Sequence, residues 1–291
     1  MSWIKITAQC DSSELEVLEA IYWSTGAVSV TVEDAEDNPI YEPGPGEEPL
    51  WDRLNATGLY MEGTEIEPIK THISNTTFDL LSVETLGDKI WEREWLTRFK
   101  PVCFGDRLWV CPTGHTVSEE GAVVMSLDPG LAFGTGTHAT TRMCLSWLDQ
   151  HIDESNLSQP FKVLDFGCGS GILGIGALLL GAKSVTGVDN DPQALVATID
   201  NAERNHIADK WSVKLPDQYV VEKHQLVIAN ILAQPLVDLS ELLLSSLAPG
   251  GDIVLSGIMK SQSDWVQEAY PIRFESETEQ DGWVCLHGKM D

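Results

Sequence analysis

The chain has 291 residues, 43% of them apolar and 22% charged, and 45 acidic against 18 basic side chains leave a formal net charge of −27. That length accommodates one large domain or two ordinary ones, and the composition is that of a soluble globular protein. A surface this negative disfavours direct nucleic-acid binding, which needs clustered Lys and Arg, and favours encounter with a basic protein, although the same charge also serves solubility alone.

The N-terminal "MSWIKITAQCDSSELEV" lacks a basic segment followed by an apolar run, so no secretory signal is expected and the cytoplasm is the default compartment. "WIKITAQ" (3–9) alternates like a strand. "SELEVLEAIYWSTG" (13–26) predicts a helix, with Ser13 and Glu16 as a capping box, Leu15, Leu18 and Tyr22 as its apolar face and Gly26 as its stop. "AVSVTVE" (27–33) alternates again, and the run 33–49, rich in carboxylates, Pro and Gly, reads as a solvated loop. A strand at 53–61, a short helix and a strand at 76–84 complete a β-α-β, β-α-β order. That order predicts a small α+β ferredoxin-like domain over residues 1–85.

Residues 86–127 read as a linker region with a helix and strands. "DKIWEREWLTRFKP" (88–101) predicts a helix stopped by Pro101, with Trp91, Trp95 and Phe99 on one face that is more often buried than ligand-binding. "RLWVCP" (107–112) and "AVVMSLDPG" (122–130) read as strands. Beyond residue 128 the rhythm becomes alternating strand and helix, which predicts a mostly parallel, doubly wound α/β sheet over 128–291. "PLVDLSELLLSSLAPGG" (235–251) reads there as one helix closed by Pro-Gly-Gly. "PIRFESETEQ" and "GWVCLHGKM" read as two final strands with no crossover helix, so the last strand is expected to be antiparallel.

"VLDFGCGSGILG" (163–174) carries the strongest chemical signal. An apolar strand runs into Gly167, Gly169 and Gly171, where backbone turns tightly and approaches a ligand closely. Gly169, Gly171 and Gly174 spell the dinucleotide fingerprint, a weak match by itself. Asp189, at the end of the next strand, suits a ribose hydroxyl in either a dehydrogenase or a methyltransferase. Asp165 discriminates, because a carboxylate at the strand end repels a pyrophosphate but suits, directly or through water, the cationic amino-acid tail of S-adenosyl-L-methionine. No second βαβαβ half follows, which also favours that cofactor over NAD. "QLVIANILAQPL" (225–236) ends a strand at Asn230, which in the doubly wound order faces Gly167 across the crevice. Asn230 is therefore a site candidate, and the alternative is a cap for a helix starting near Pro235.

"DPGLAFGTGTHATT" (128–141) lacks the Lys-Ser/Thr pair of a phosphate loop. No His or Cys stands near His138 at ligand spacing, and the cysteines at 10, 103, 111, 144, 168 and 285 form no CxxC pair, so no metal or disulfide is expected. The run is read as a lid over the cofactor pocket that leads into a helix, with Phe133 and His138 as secondary candidates around a methyl-transfer channel.

With these motifs, together with "EPGPGEEPLWDR" (42–53), "FKPVCFGDRLWVCP" (99–112), "GVDNDPQA" (187–194) and "NAERN" (201–205), the chain resembles, over nearly its whole length, the ribosomal protein L-eleven methyltransferase family (PrmA-type). The resemblance implies a Rossmann-like class I methyltransferase domain, with a mostly parallel seven-stranded sheet and its last strand antiparallel, preceded by a ferredoxin-like domain that recognises the substrate. It implies methyl transfer from S-adenosyl-L-methionine to lysine ε-amines, and in some members the N-terminal α-amine, of that basic ribosomal protein. It places cofactor contacts at Thr141, Gly167, Asp189 and Asn230, to which the glycine loop adds Gly169. Asn230 is further expected to be catalytic, accepting a hydrogen bond from the amine, and the protein is expected to be a monomer. Ala139 stands where relatives often carry proline, and Asn190 where a hydrophobic residue often follows the ribose acid. A nicotinamide-dependent oxidoreductase and a non-catalytic binding module stay open as readings of the residues alone.

Overall fold

Alternation writes the first sheet. In β1 (Trp3–Asp11) Ile4, Ile6, Ala8 and Cys10 are buried while their neighbours are only partly covered. A computed structural model describes residues 2–36, 50–86, 100–127, 138–153 and 160–290. The expected acidic loop beyond residue 36, the Trp91/Trp95/Phe99 stripe and the run 128–137 lie outside them. The chain divides into two compact units, Met1–Trp91 and Glu92–Asp291.

In the first unit α1 (Leu15–Ser24) and α2 (Ile66–Ser74) bury Leu15, Leu18, Tyr22, Ile69 and Ile73 in one apolar cluster with the inner residues of β1. β2 (Ser29–Asp34), β3 (Arg53–Met61) and β4 (Asp79–Leu86) complete an antiparallel sheet in the order β2-β3-β1-β4, the ferredoxin-like arrangement. The Ser13 capping box does not form. A 3-10 turn at Ser12–Glu14 precedes α1, whose N-cap is Glu14 without a side-chain cap bond. Leu15, expected one residue into the helix interior, opens it instead. Gly26 closes the helix in the left-handed region (φ 93°), where its N–H donates to Trp23 O.

In the second unit, β5 (Val102–Phe104), β6 (Leu108–Cys111) and β7 (Val123–Ser126) form a three-stranded sheet. α3 (Ala139–His151) ties to it through Asp149, whose side chain is 1% exposed. One Asp149 oxygen accepts from the backbone N–H of Asp106 (2.6 Å) and Arg107 (3.1 Å), and the other lies 3.3 Å from Arg107 Nε. The Arg107 guanidinium also donates to the carbonyls of Asp149 and Ile152. Removing the carboxylate strands two backbone donors and leaves Arg107 with the more exposed Asp153 carboxylate, 3.6 Å from Nη1. Asp149→Ala is therefore expected to lower the stability of this unit by about 3 kcal/mol, read from the midpoint of denaturant unfolding, with Asp149→Asn losing less.

The large sheet is built from β8 (Lys162–Phe166), β9 (Ser184–Val188), β10 (Trp211–Lys214), β11 (His224–Asn230), β12 (Leu247–Met259), β13 (Arg273–Gln280) and β14 (Trp283–Lys289). Its order is β10-β9-β8-β11-β12-β14-β13, and β14 runs antiparallel to both neighbours, as expected of the last strand. A two-residue loop with Asp281 (φ 53°) and Gly282 (φ 78°) turns β13 into β14. α4 (Ile172–Leu179), α5 (Pro192–Arg204), α6 (Ala233–Asp238), α7 (Ser240–Ser245) and α8 (Ser263–Glu268) complete the described helices. Strand alternation separates two apolar layers. Val163 and Ile228 face the layer holding α3 and α4, while Leu164, Val227 and Ala229 face the layer holding α6 and α8.

The single helix expected at 235–251 is overturned. It breaks at Leu239 into α6 and α7, and the Pro249-Gly250-Gly251 run lies inside β12. Leu247 pairs with His224 and Asp252 with Leu226, and the run between them is taken up by a register shift in which Pro249 and Gly250 are exposed and Gly250 has φ 71°, so Pro-Gly-Gly kinks a strand instead of closing a helix.

Candidate functional site

The chain leaves β8 towards β9 on one side, while β11 pairs with β8 on the other. This reversal opens a crevice at the carboxyl ends of β8 and β11, where ligands of doubly wound sheets bind. Gly167 begins the turn at φ 77° and donates its N–H to Val188 O (2.7 Å). A Cβ there would stand 2.2 Å from Ile231 Cγ2, so only glycine fits. Gly169 donates to Asp189 Oδ2 (2.8 Å), and Asp189 Oδ1 accepts from Asp191 N (3.0 Å). Asp189 thus braces the loop as well as standing at its rim, and its carboxylate retains lone pairs for a further donor.

Three residues that sequence reasoning left without a role hold the loop and its approach from the α5 side. Thr198 Oγ1 donates to Gly169 O (3.0 Å), and Asn201 Nδ2 donates to Ser170 O (2.9 Å). Asn205 brackets the end of β7, accepting from Ser126 N and donating to Ser126 O, both at 2.8 Å. Their spacing of three and four residues on one helix face was the available signal. Gly174 brings α4 close to the sheet, since a Cβ there would meet the Trp211 indole at 2.4 Å.

Asp165 lies under this cradle, 1% exposed. Its Oδ2 accepts from Gly174 N (2.9 Å), and its Oδ1 has no hydrogen-bond partner among the described residues. Burial, opposed by the Gly174 bond and helped by the charge of Asp189, pushes its carboxyl up to about 7. A buried acceptor with an empty oxygen calls for a donor, best a cationic one or a water bridging to one.

Ile228 pairs with Asp165 and Ala229 with Phe166, so Asn230 stands beside Gly167. Alternation puts Asp165 and Asn230 on the α3 face of the sheet. Asn230 Nδ2 donates to Thr141 Oγ1 (3.3 Å), on α3 and 1% exposed. The amide oxygen of Asn230 is left for another donor. Asn230 does not cap a helix, because the N-cap of α6 is Leu232. His138 does serve as a cap. Its Nδ1 accepts from Thr140 N (3.4 Å), and its ring packs edge-on to Trp283, so its contacts are those of a helix start. Phe133 lies outside the described residues.

One clamp was not foreseen. Gly257 sits at a register shift in β12 with φ 86°, and a Cβ there would stand 2.2 Å from Ile231 O. Ile231 is therefore seated between two glycines, Gly167 and Gly257, that no side chain could replace without moving it.

The family profile described as "Ribosomal protein L11 methyltransferase (PrmA)" matches residues 2–291. The chain is 44% identical to the ribosomal protein L11 methyltransferase of Chromohalobacter salexigens over 99% of each chain. It is 46% identical to that of Methylococcus capsulatus over 98% of each. Among solved structures, a ribosomal protein L11 methylase from Lactobacillus delbrueckii subsp. bulgaricus is 29% identical, with a TM-score of 0.58, covering 66% of this chain and all of that one.

Proposed function

Because the chain belongs to the ribosomal protein L11 methyltransferase family, we propose that it transfers methyl groups from S-adenosyl-L-methionine to lysine ε-amines of ribosomal protein L11, whose N-terminal α-amine is a second candidate acceptor. The observation that carries this reading is the empty, buried oxygen of Asp165 beneath a glycine cradle, on the same sheet face as Asn230. A nicotinamide dinucleotide would bring phosphate charge to this carboxylate, whereas an amino-acid ammonium satisfies it.

When bound, the cofactor supplies a methyl group on a sulfonium sulfur for in-line displacement by an amine. Gly167 and Gly169 would let backbone approach it, Asp189 would accept from its ribose, and Asp165 and Thr141 would hold its methionyl end. The chain's further task is to orient a neutral amine. A free lysine has a pKa of about 10.4, so holding it neutral at pH 7 costs roughly 4.6 kcal/mol. Burial beside positive charge lowers that cost, and the proton leaves to water before attack. Asn230 Oδ1 accepts an N–H of the amine and aims its lone pair, while Thr141 fixes the amide from the other side. The last methylation of a lysine proceeds on an amine with no N–H and is positioned by shape.

The first unit is assigned to recognition of the ribosomal protein, whose basic surface complements a net charge of −27. The protein is read as a cytoplasmic monomer, and no described helix is long and apolar enough to cross a membrane. Incubating the full chain with ribosomal protein L11 and methyl-labelled cofactor should place label on lysines, located by peptide mass spectrometry. Calorimetry should detect S-adenosyl-L-methionine and not NADH. Unlabelled L11, or tight NADH binding, overturns the reading. Association with L11 should weaken as salt rises from 50 to about 300 mM, and salt-independent association would leave the charge a solubility feature.

A further inference from the structure

Among the described residues, Leu232 is a large apolar side chain left exposed just past the end of β11. It is 47% exposed, two residues past Asn230, and belongs to none of the buried clusters among the described residues. A lone exposed leucine needs no explanation on an ordinary surface. This one stands at the mouth of the crevice, on a segment whose placement is strongly determined. Ile231 before it is wedged between Gly167 and Gly257, where a Cβ on either glycine would come within 2.2 Å. Ala233 after it is fully buried at the start of α6. Leu232 itself is extended (φ −62°, ψ 157°) and forms the α6 N-cap, a position favoured by Ser, Thr, Asp or Asn, with no side-chain cap bond. The sequence therefore gives up a capping side chain to place an apolar one beside Asn230.

A lysine that reaches Asn230 with its ε-nitrogen must thread four methylenes through the crevice mouth, and each methylene gains from leaving water. We infer that Leu232 is a substrate-contacting, specificity-determining residue that packs against the aliphatic stem of the target lysine and holds it in line with Asn230. The inference rests on the reading of Asn230 as the amine-positioning residue. It also accounts for selection of an extended aliphatic amine by an apolar wall beside one polar acceptor.

The test is steady-state methylation of ribosomal protein L11 by the full chain carrying Leu232→Ala, Leu232→Asp or Leu232→Met, with Asn230→Ala alongside. Leu232→Ala should lower kcat/KM by about tenfold, the loss of a few methylene contacts, and Leu232→Asp by more. Leu232→Met should recover most of the wild-type value. Affinity for S-adenosyl-L-methionine should stay within twofold throughout. A half-exposed position outside the core tolerates these changes, and thermal melting confirms folding. If Leu232→Asp keeps wild-type kcat/KM while Asn230→Ala is impaired, the inference alone is overturned. If Asn230→Ala is also fully active, the reading of the site falls and the inference with it. A parallel loss of cofactor affinity in the Leu232 variants would assign the residue to the cofactor pocket and overturn the inference as well.

Discussion

Asn230→Ala is expected to lower kcat for methyl transfer by about a hundredfold or more, with KM for the protein substrate changed far less. Misplacing a reacting group by about an ångström is enough for that loss. Asn230 is placed by three independent constraints. It pairs with Ser256 of β12, it donates to Thr141 at 3.3 Å, and its neighbour Ile231 is clamped by two glycines. The residue contributes little to the fold, being only partly buried and held by one long hydrogen bond. Its removal should therefore cost less than about 1.5 kcal/mol of stability. Cofactor affinity should fall by less than about tenfold, since the contacts proposed for Gly167, Gly169, Asp165 and Asp189 are left in place. Thr141→Val, which keeps the shape and removes the acceptor for Asn230 Nδ2, should give an intermediate loss of kcat that Thr141→Ser recovers. Wild-type kcat in Asn230→Ala, measured with saturating cofactor, would remove the residue from the mechanism.

The sequence made some parts of this arrangement legible and hid others for a physical reason. The glycine loop could be read because its constraint is local. A strand, a turn that needs positive φ and a helix start all lie within twelve letters, 163–174. The nearness of the β11 end to the glycine loop followed from topology, because the fourth strand of a doubly wound sheet returns beside the first. The Ile231 clamp could not be read, since it depends on a register shift in β12 that sets Gly257 against a residue 26 positions earlier. The same holds for Asp149, whose partners on the β5–β6 turn are about forty residues away in sequence. The NAERN run was visible as a motif, but its work is to brace backbone carbonyls of other elements, which no local pattern announces. At Pro249-Gly250-Gly251 the turn signal was real but its context was not local, since the run forms an irregularity inside β12, with Gly250 at φ 71°, between residues that pair with β11.

Affinity for S-adenosyl-L-methionine is expected to rise by nearly tenfold per pH unit from about pH 5.5 to 7, where Asp165 titrates. The sign follows from the buried carboxyl. Its pKa is raised from 3.8 to about 7, so the unliganded fold is favoured by this group below about pH 4 and loses that contribution as pH rises through about 7. An ammonium brought against the empty oxygen favours the ionised form, so binding below pH 7 releases a proton and acid weakens it. The gain levels off once Asp165 is ionised and is lost only where the cofactor's own amine becomes neutral. Affinity should therefore stop rising above about pH 7. Asp165→Asn keeps an acceptor for Gly174 N but loses the charge. It should lower affinity at pH 7.5 by at least about thirtyfold, the value of roughly 2 kcal/mol for a desolvated charged contact. It should also flatten the rise between pH 5.5 and 7 and remove the corresponding fall in thermal midpoint of the unliganded protein. Calorimetry in two buffers of different ionisation enthalpy counts the released proton directly. Affinity that is flat from pH 5.5 to 7.5, or a pH profile unchanged in Asp165→Asn, would show that the empty oxygen does not receive the ammonium and would return the Asp165 carboxylate to a purely structural role under α4.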